Sequence, residues 1–227
     1  MRKMAGKVLF PLLLLALILP LALAGESFPA VPVASFSTPN LFYHNWKIKK
    51  WKGTVSLDFG RREGMPFLRM FAPDSSWAFI RRFKVNLNRT PELTWSWEAS
   101  VLPKGGDGRH RNTDDEAAQV YVLFAGSRWL GGLDARILGY TWETVPGKGT
   151  VYTSPKNSNC RIIVLRNEND PLHTWFTERR NVLKDFQTAF KTKDTPDPIA
   201  VSFQIDSDDT RSVAESSIAR ITFQPAG

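Results

Sequence analysis

Hydrophobic residues recur at every second position through most of this chain, in short runs divided by glycine, proline and polar clusters. Thr54–Phe59 sets Val55, Leu57 and Phe59 on one side, a turn follows from Gly60 to Gly64, and Phe67–Phe71 comes next. Trp77–Val85 puts Trp77 and Phe79 on one face, and Leu93–Val101 alternates more cleanly. A polar, Gly-rich loop from Pro103 to Glu116 leads into Ala117–Phe124, with Ala118, Val120, Val122 and Phe124 on one face and Gln119, Tyr121 and Leu123 on the other. Leu138–Trp142, Thr150–Thr153, Cys160–Leu165, Ile199–Ile205 and Ser217–Phe223 continue the pattern. A period of two between turn signals is what a half-buried strand requires. Some ten such runs predict an all-β domain, a β-sandwich or jelly roll, rather than an alternation of strands and helices.

One segment departs from that period. Leu172, Trp175, Phe176, Val182, Leu183, Phe186 and Phe190 recur at steps of three and four, the spacing of a helix with one apolar face. Asp170 suits its N-cap and Pro171 its first turn. The pattern predicts one helix packed on the sandwich, with Arg179 near the middle of its apolar stripe. A guanidinium there needs acidic or carbonyl partners, because it stays charged.

The N-terminus changes the address. Arg2, Lys3 and Lys7 precede an uncharged run from Val8 to Ala24, with Pro20 near its end and Ala22-Leu23-Ala24 before Gly25. Basic start, apolar middle and small-residue end match a secretory leader, expected to be cleaved after residue 24. The run is short for a membrane span, which needs about 20 apolar residues, and no later segment is apolar enough to cross. The expected location is the periplasm or the extracellular space. Residues 25–45 read as an extended lead-in, and residues 46–227 as one domain, large enough for a substantial core.

Composition narrows the rest. Cys160 is the only cysteine, so an intrachain disulfide is impossible and stability must come from burial, which eight Trp and fifteen Phe can supply. Flanked by strand residues, Cys160 reads as a small buried hydrophobe. The net charge of +8 falls to +5 once Arg2, Lys3 and Lys7 leave with the leader. That scattered surplus does not indicate nucleic acid.

Candidate chemistry is sparse. Trp95 and Trp97 share a strand face with Leu93, which reads as core rather than as a sugar platform. Asp114-Asp115-Glu116 gathers three carboxylates at the start of a strand; an ion pair with Arg179 or Arg180, a bound calcium or ammonium, or a raised carboxyl pKa would each relieve their repulsion. Asp206-Ser207-Asp208-Asp209-Thr210 spaces carboxylates as calcium loops do, but lacks the Gly and downstream Glu of an EF-hand, and an Asx-stabilised turn explains it as well. His44, His110 and His173 have no metal spacing, and no phosphate loop, nucleophile triad, haem or zinc motif is present.

Several of these segments recur together. Pro91 to Glu98, Asp114-Asp115 followed by Ala117 to Phe124, Tyr140-x-Trp142, Arg180-Asn181-Val182 with Asp185-Phe186, and Asp206-x-Asp208-x-Thr210 resemble the signature of the bacterial family called Domain of Unknown Function 3047. The resemblance spans roughly Thr54 to Phe223 and implies an exported single-domain β protein without implying a substrate. This chain has Gln119 where the family pattern has Arg. The family motif also points to Arg180, with Asn181, whereas the helical stripe points to Arg179; one regular helix cannot bury both, since neighbours lie about 100° apart.

The expected function is binding of a glycan or cell-envelope polymer by Asp114, Asp115, Tyr121, Tyr140, Trp142, Arg180, Asn181, Asp206 and Asp208. Carboxylates and Arg would orient sugar hydroxyls, and Tyr140 or Trp142 would supply a stacking face. No cofactor is expected, a calcium ion at the acidic loop being the alternative to an Asx-stabilised turn. The competing expectations are a glycan hydrolase or lyase pairing Asp114 or Asp115 with Asp208, and an envelope structural factor in which these residues form a buried network.

Overall fold

Alternation along the chain translates into two sheets packed face to face. The computed structural model describes residues 28–126 and 135–227, so the leader expected over residues 1–24 lies outside the described residues. Among those residues the chain runs through β1 (Val31–Ala34), helix α1 (Pro39–Asn45), β2 (Lys47–Lys52), β3 (Ser56–Arg62), β4 (Met65–Pro73), β5 (Ser76–Arg82) and β6 (Glu92–Val101). It continues through β7 (Ala118–Phe124), β8 (Arg136–Trp142), β9 (Val151–Thr153), β10 (Cys160–Arg166), β11 (Phe176–Asn181), helix α2 (Val182–Phe190), β12 (Pro198–Asp206) and β13 (Val213–Gln224).

The first sheet has the order β11-β6-β13-β4-β3, and β1 pairs with β13 at residues 221–223, beyond the stretch that pairs with β4. The second has the order β2-β5-β12-β7-β8-β10-β9. Among the described residues its pairings are antiparallel except for β8 with β10. The all-β sandwich expected from the sequence is the observed fold.

Inward-facing residues interlock between the sheets. Trp95 packs against Tyr140 at 5.2 Å between ring centroids, and Trp97 against Trp142 at 6.0 Å. All four are fully buried, each contributing several kcal/mol at most by the usual area rule of about 25 cal/mol per Å². Trp95 and Trp97 are therefore core, as their spacing predicts. Cys160 is also buried, and burial pushes its thiol pKa up to about 12.

The helix expected from Asp170 starts only at Val182. Residues 176–181 instead form β11, pairing along β6 from Phe176 opposite Trp97 to Asn181 opposite Glu92. Phe176, Glu178 and Arg180 alternate toward the core side, so the same residues satisfy a strand period, and edge pairing satisfies backbone groups that a surface helix would not supply to β6. The alternation also separates the two arginines. Arg180 lies on the face of Leu93 and Trp95, while Arg179 turns outward to pair with Glu92. Asn181, not Asp170, caps α2, its Oδ1 accepting the Lys184 N–H at 3.0 Å. Asp170 accepts from the Asn167 N–H, Lys148 and Arg166, each at 3.0 Å.

Within the 25–45 stretch, β1 joins the first sheet and α1 packs onto the core through Phe42, which contacts Phe36, Trp46 and Phe203. Pro39 at the start of α1 and Thr38 as its N-cap explain why a helix begins there.

Candidate functional site

Because β7 sends Val120 and Val122 into the core, Gln119 and Tyr121 face outward, and β12 sets Gln204 and Ser202 directly beside them. Over these four runs a groove of about 580 Å³. The loop before β7 brings Asp114 and Glu116 to it, the end of β12 brings Asp206 and Asp208, the turn after β9 brings Lys156, and the edge strand β2 brings Lys49 and Trp51. Trp51 is 50% exposed.

The groove is held by short polar contacts. Asp206 Oδ1 accepts the Glu116 N–H and the Gln119 Nε2–H, both at 2.7 Å, and Gln119 Oε1 accepts the Tyr121 hydroxyl at 2.7 Å. Gly139, on β8 beside Tyr121, leaves room for that ring: a Cβ there would lie 2.4 Å from it. Lys156 pairs with Asp114 at 3.1 Å and with Asp209. Burial works to lower the Lys156 pKa, but these two carboxylates outweigh it and hold the ammonium charged.

Two buried carboxyls, Glu116 and Glu143, and the half-buried Asp206 sit at or just behind this surface. Burial, followed by repulsion from Glu143 and Asp206, drives the Glu116 pKa well above its ordinary value. Asp206 is raised by burial in spite of the Glu116 N–H, with Asp115 and Asp114 adding repulsion. Glu143 is pushed up to about 7 by burial, against the Tyr152 hydroxyl, the Gly108 N–H and the Thr141 hydroxyl that donate to it at 2.6, 3.2 and 3.0 Å. Gly108 closes the loop over them. A Cβ there would lie 2.0 Å from the Tyr152 hydroxyl and 2.3 Å from Glu116 Oε1.

Of the expected site residues, Asp114, Tyr121, Asp206 and Asp208 line this groove. Asp115 lies behind it, fully buried, accepting the N–H of Asp209 at 3.1 Å and the N–H and hydroxyl of Thr210, both at 2.6 Å. It fastens the turn after β12. Oxygens of Asp115, Asp208 and Asp209 lie within 4.8 Å of one another, which suits a hard cation in ligand type. Both Asp115 oxygens, however, already serve protein donors.

The other four do not converge there. Trp142 is fully buried between the sheets, its Nε1–H donated to the Asn167 carbonyl at 3.3 Å, which corrects the expectation of a stacking face. Tyr140 is equally buried and donates to Asp185 Oδ2 at 2.9 Å. Arg180 grips the same Asp185 through two bonds of 2.8 and 2.7 Å, and Asn181 caps α2. Arg180 and Asp185 border a different cavity, of about 1000 Å³, between α2 and the β9–β10 edge. The single pocket expected from the sequence is thus two separate places, because the aromatic-x-aromatic pair on β8 points inward.

Glu116, Gln119, Glu143, Tyr152, Trp51 and Lys156 were not among the expected site residues. Thr141 and Glu143 alternate with Tyr140 and Trp142, so reading both faces of β8 finds Glu143. Trp51 amid Lys47, Lys49, Lys50 and Lys52 is an indole on a strand too polar to bury it.

The family model described as "Protein of unknown function (DUF3047)" matches residues 43–222. No curated protein matches the sequence. Among solved structures, the Family 11 carbohydrate-binding module of the cellulosomal cellulase Lic26A-Cel5E of Clostridium thermocellum is similar at 8% identity and a TM-score of 0.48, covering 88% of this chain and 97% of the module. The endoglucanase cel12A from Rhodothermus marinus is similar at 8% identity and 0.47, covering 88% and 100%. The mannan-recognising module TmCBM27 is similar at 11% identity and 0.40, covering 88% and 100%. Likeness at this level transfers no ligand.

Proposed function

Since this chain belongs to the family described as "Protein of unknown function (DUF3047)", we propose on the chemistry of its own residues that it is an exported protein binding a glycan or cell-envelope polymer in the groove over β7 and β12. The observation that carries this reading is the groove's composition. Asp114, Glu116, Asp206 and Asp208 offer carboxyl oxygens, Gln119 and Gln204 offer amides, and the Trp51 ring stands half-exposed at the side. Sugar hydroxyls need such a mixture of donors and acceptors, and an indole face suits the apolar side of a pyranose ring. The volume of about 580 Å³ falls in the range of ligand sites. Export to the periplasm or the extracellular space, expected from the leader, would put the groove among envelope polysaccharides.

Calorimetric titration of the mature protein with a panel of envelope oligosaccharides tests this. Saturable binding that Trp51→Ala weakens at least tenfold supports it. No binding across the panel, or binding indifferent to Trp51, contradicts it.

One observation favours hydrolysis as a second reading: Glu116 is a buried carboxyl on the groove whose pKa burial drives well above its ordinary value, the direction a general acid needs. Asp115 does not suit the reacting role, since three protein donors occupy it. Appearance of new reducing ends, abolished in Glu116→Gln, would distinguish an enzyme from a binder.

A further inference from the structure

The groove's acids are poorly balanced. Asp114, Glu116, Asp206 and Asp208 line it against Lys49 and Lys156. Both lysines are already engaged, Lys156 with Asp114 and Asp209 and Lys49 over the Trp51 ring at 4.7 Å. Yet the whole chain carries +8, so the carboxyls are a local concentration of acidic groups on a basic protein.

Glu116 makes the imbalance specific. It is only 2% exposed, and it borders the groove. Among the described residues its side chain meets one polar partner, the Tyr152 hydroxyl at 3.5 Å. That hydroxyl has a single proton, and Glu143 takes it at 2.6 Å. The Glu116 carboxyl therefore keeps acceptor capacity that no protein donor fills, although a buried acceptor ordinarily finds one. On the opposite side, Asp208 meets Lys52 through its backbone carbonyl, at 3.3 Å, and not through its carboxylate.

We propose that the groove selects glycans bearing free amino groups, with an ammonium taken by Glu116 and the neighbouring carboxylates Asp206 and Asp208. The proposal rests on the glycan reading above and names its ligand class. An ammonium brings three donors and a positive charge to acceptors that lack both. An N-acetylated or purely hydroxylated sugar brings no charge, and its acetyl group would set a methyl against carboxyls. Trp51 and Tyr121 give the attached ring its apolar contact, which a bare polyamine would not use.

A proton balance follows from the same geometry. Glu116 is faced by Glu143 from beyond β8, by Asp114 and Asp115 from its own loop, by Asp206 from β12 and by Tyr152 from β9. Lys156 lies across from Asp114. Burial and these like charges raise the Glu116 and Asp206 pKa values in the free protein. An ammonium in the groove favours their ionised forms, so binding at pH 5.5, where an amine is charged, releases protons to the buffer.

The experiment is calorimetry at pH 5.5 in two buffers of different ionisation enthalpy, using oligomers of glucosamine, of N-acetylglucosamine and of glucose, and spermidine as a sugar-free amine. The glucosamine oligomer should bind about tenfold or more tighter than the other three, with net proton release. Glu116→Gln should abolish most of the release and the preference. Asp208→Asn, at a carboxylate that makes no side-chain hydrogen bond among the described residues, should reduce the preference about threefold even if the buried substitution impairs folding. Equal or tighter binding of the N-acetylated or glucose oligomer overturns the amine preference while leaving glycan binding intact. Spermidine binding as tightly as the amino sugar overturns the sugar part. Absence of binding by every oligomer defeats the underlying glycan reading and this proposal with it.

Discussion

Tyr152 gives its hydroxyl proton to Glu143 at 2.6 Å, beside the Thr141 hydroxyl and the Gly108 N–H, at a carboxyl sealed from solvent. Burial pushes the Glu143 pKa up to about 7, above its value in an unfolded chain. A group with a raised folded-state pKa stabilises the fold fully at low pH and loses that contribution as pH rises through the folded value. Stability should therefore fall between about pH 4.5 and pH 7, by about 3 kcal/mol for this group alone. Thermal melts across that range should show a declining midpoint, and Glu143→Gln should flatten the decline. Asp107 and Asp170 have lowered pKa values, Asp107 chiefly through Arg109 and Asp170 through the Asn167 N–H, Lys148 and Arg166 outweighing burial, so stability should also fall at more acid pH as they protonate. A midpoint that rises steadily from pH 4.5 to 8 would contradict this account of Glu143.

Asp115 is a structural fastener. It accepts from two backbone N–H groups and one hydroxyl of the turn after β12. In Asp115→Asn one oxygen becomes an amide whose hydrogens oppose those donors. Loss of charge-assisted bonds in a buried place should lower stability by about 2–4 kcal/mol. Urea denaturation measures it, and a change within error would remove the assigned role.

Trp142 and Trp51 should behave oppositely. Trp142 is fully buried and Trp51 is 50% exposed. Trp142→Ala opens a cavity between the sheets and should destabilise by about 3–5 kcal/mol. Trp51→Ala should stay within about 0.5–1 kcal/mol of wild type, because the ring is half-exposed and meets the Lys49 ammonium. Paired melts decide between these expectations.

Arg180 and Asp185 form a two-bond pair that also receives the Tyr140 hydroxyl. Arg180→Ala leaves Asp185 beside a buried phenol without its cation, so stability should drop by about 2–4 kcal/mol. Glycan affinity at the groove should remain within twofold. A selective loss of binding by a folded Arg180→Ala protein would move the site to the other cavity.

Much of this architecture was legible because alternation is a local signal. Ten strand runs read from the sequence correspond to strands in the two sheets. β11 was not legible, since Phe176, Glu178 and Arg180 fit a two-residue period while the larger run of apolar residues into α2 fits a helical one. β1 and β2 were missed for other reasons: Val31–Ala34 is short and carries Pro32, and Lys47–Lys52 is an edge strand with four lysines, a composition that guards an edge but hides the strand. The acidic part of the site was visible as Asp114 and the Asp206 segment. Its separation from Tyr140, Trp142 and Arg180 was not, because motif spacing along a strand records which residues share a face but not which face is buried. Glu116 stands in view among three acids, but only the fold reveals that, among the described residues, its side chain meets just the distant Tyr152 hydroxyl.

The most direct test follows the groove itself through a glycan titration, using the assigned indole N–H of Trp51 and the backbone amides of Gln119, Gln204 and Lys156 in nitrogen-15 spectra. Saturable shifts at these four places, with Arg180 and Asp185 unmoved, are the predicted result. A glycan that binds while shifting only the residues around Arg180 and Asp185, and leaves Trp51 and Gln119 where they were, would contradict the account.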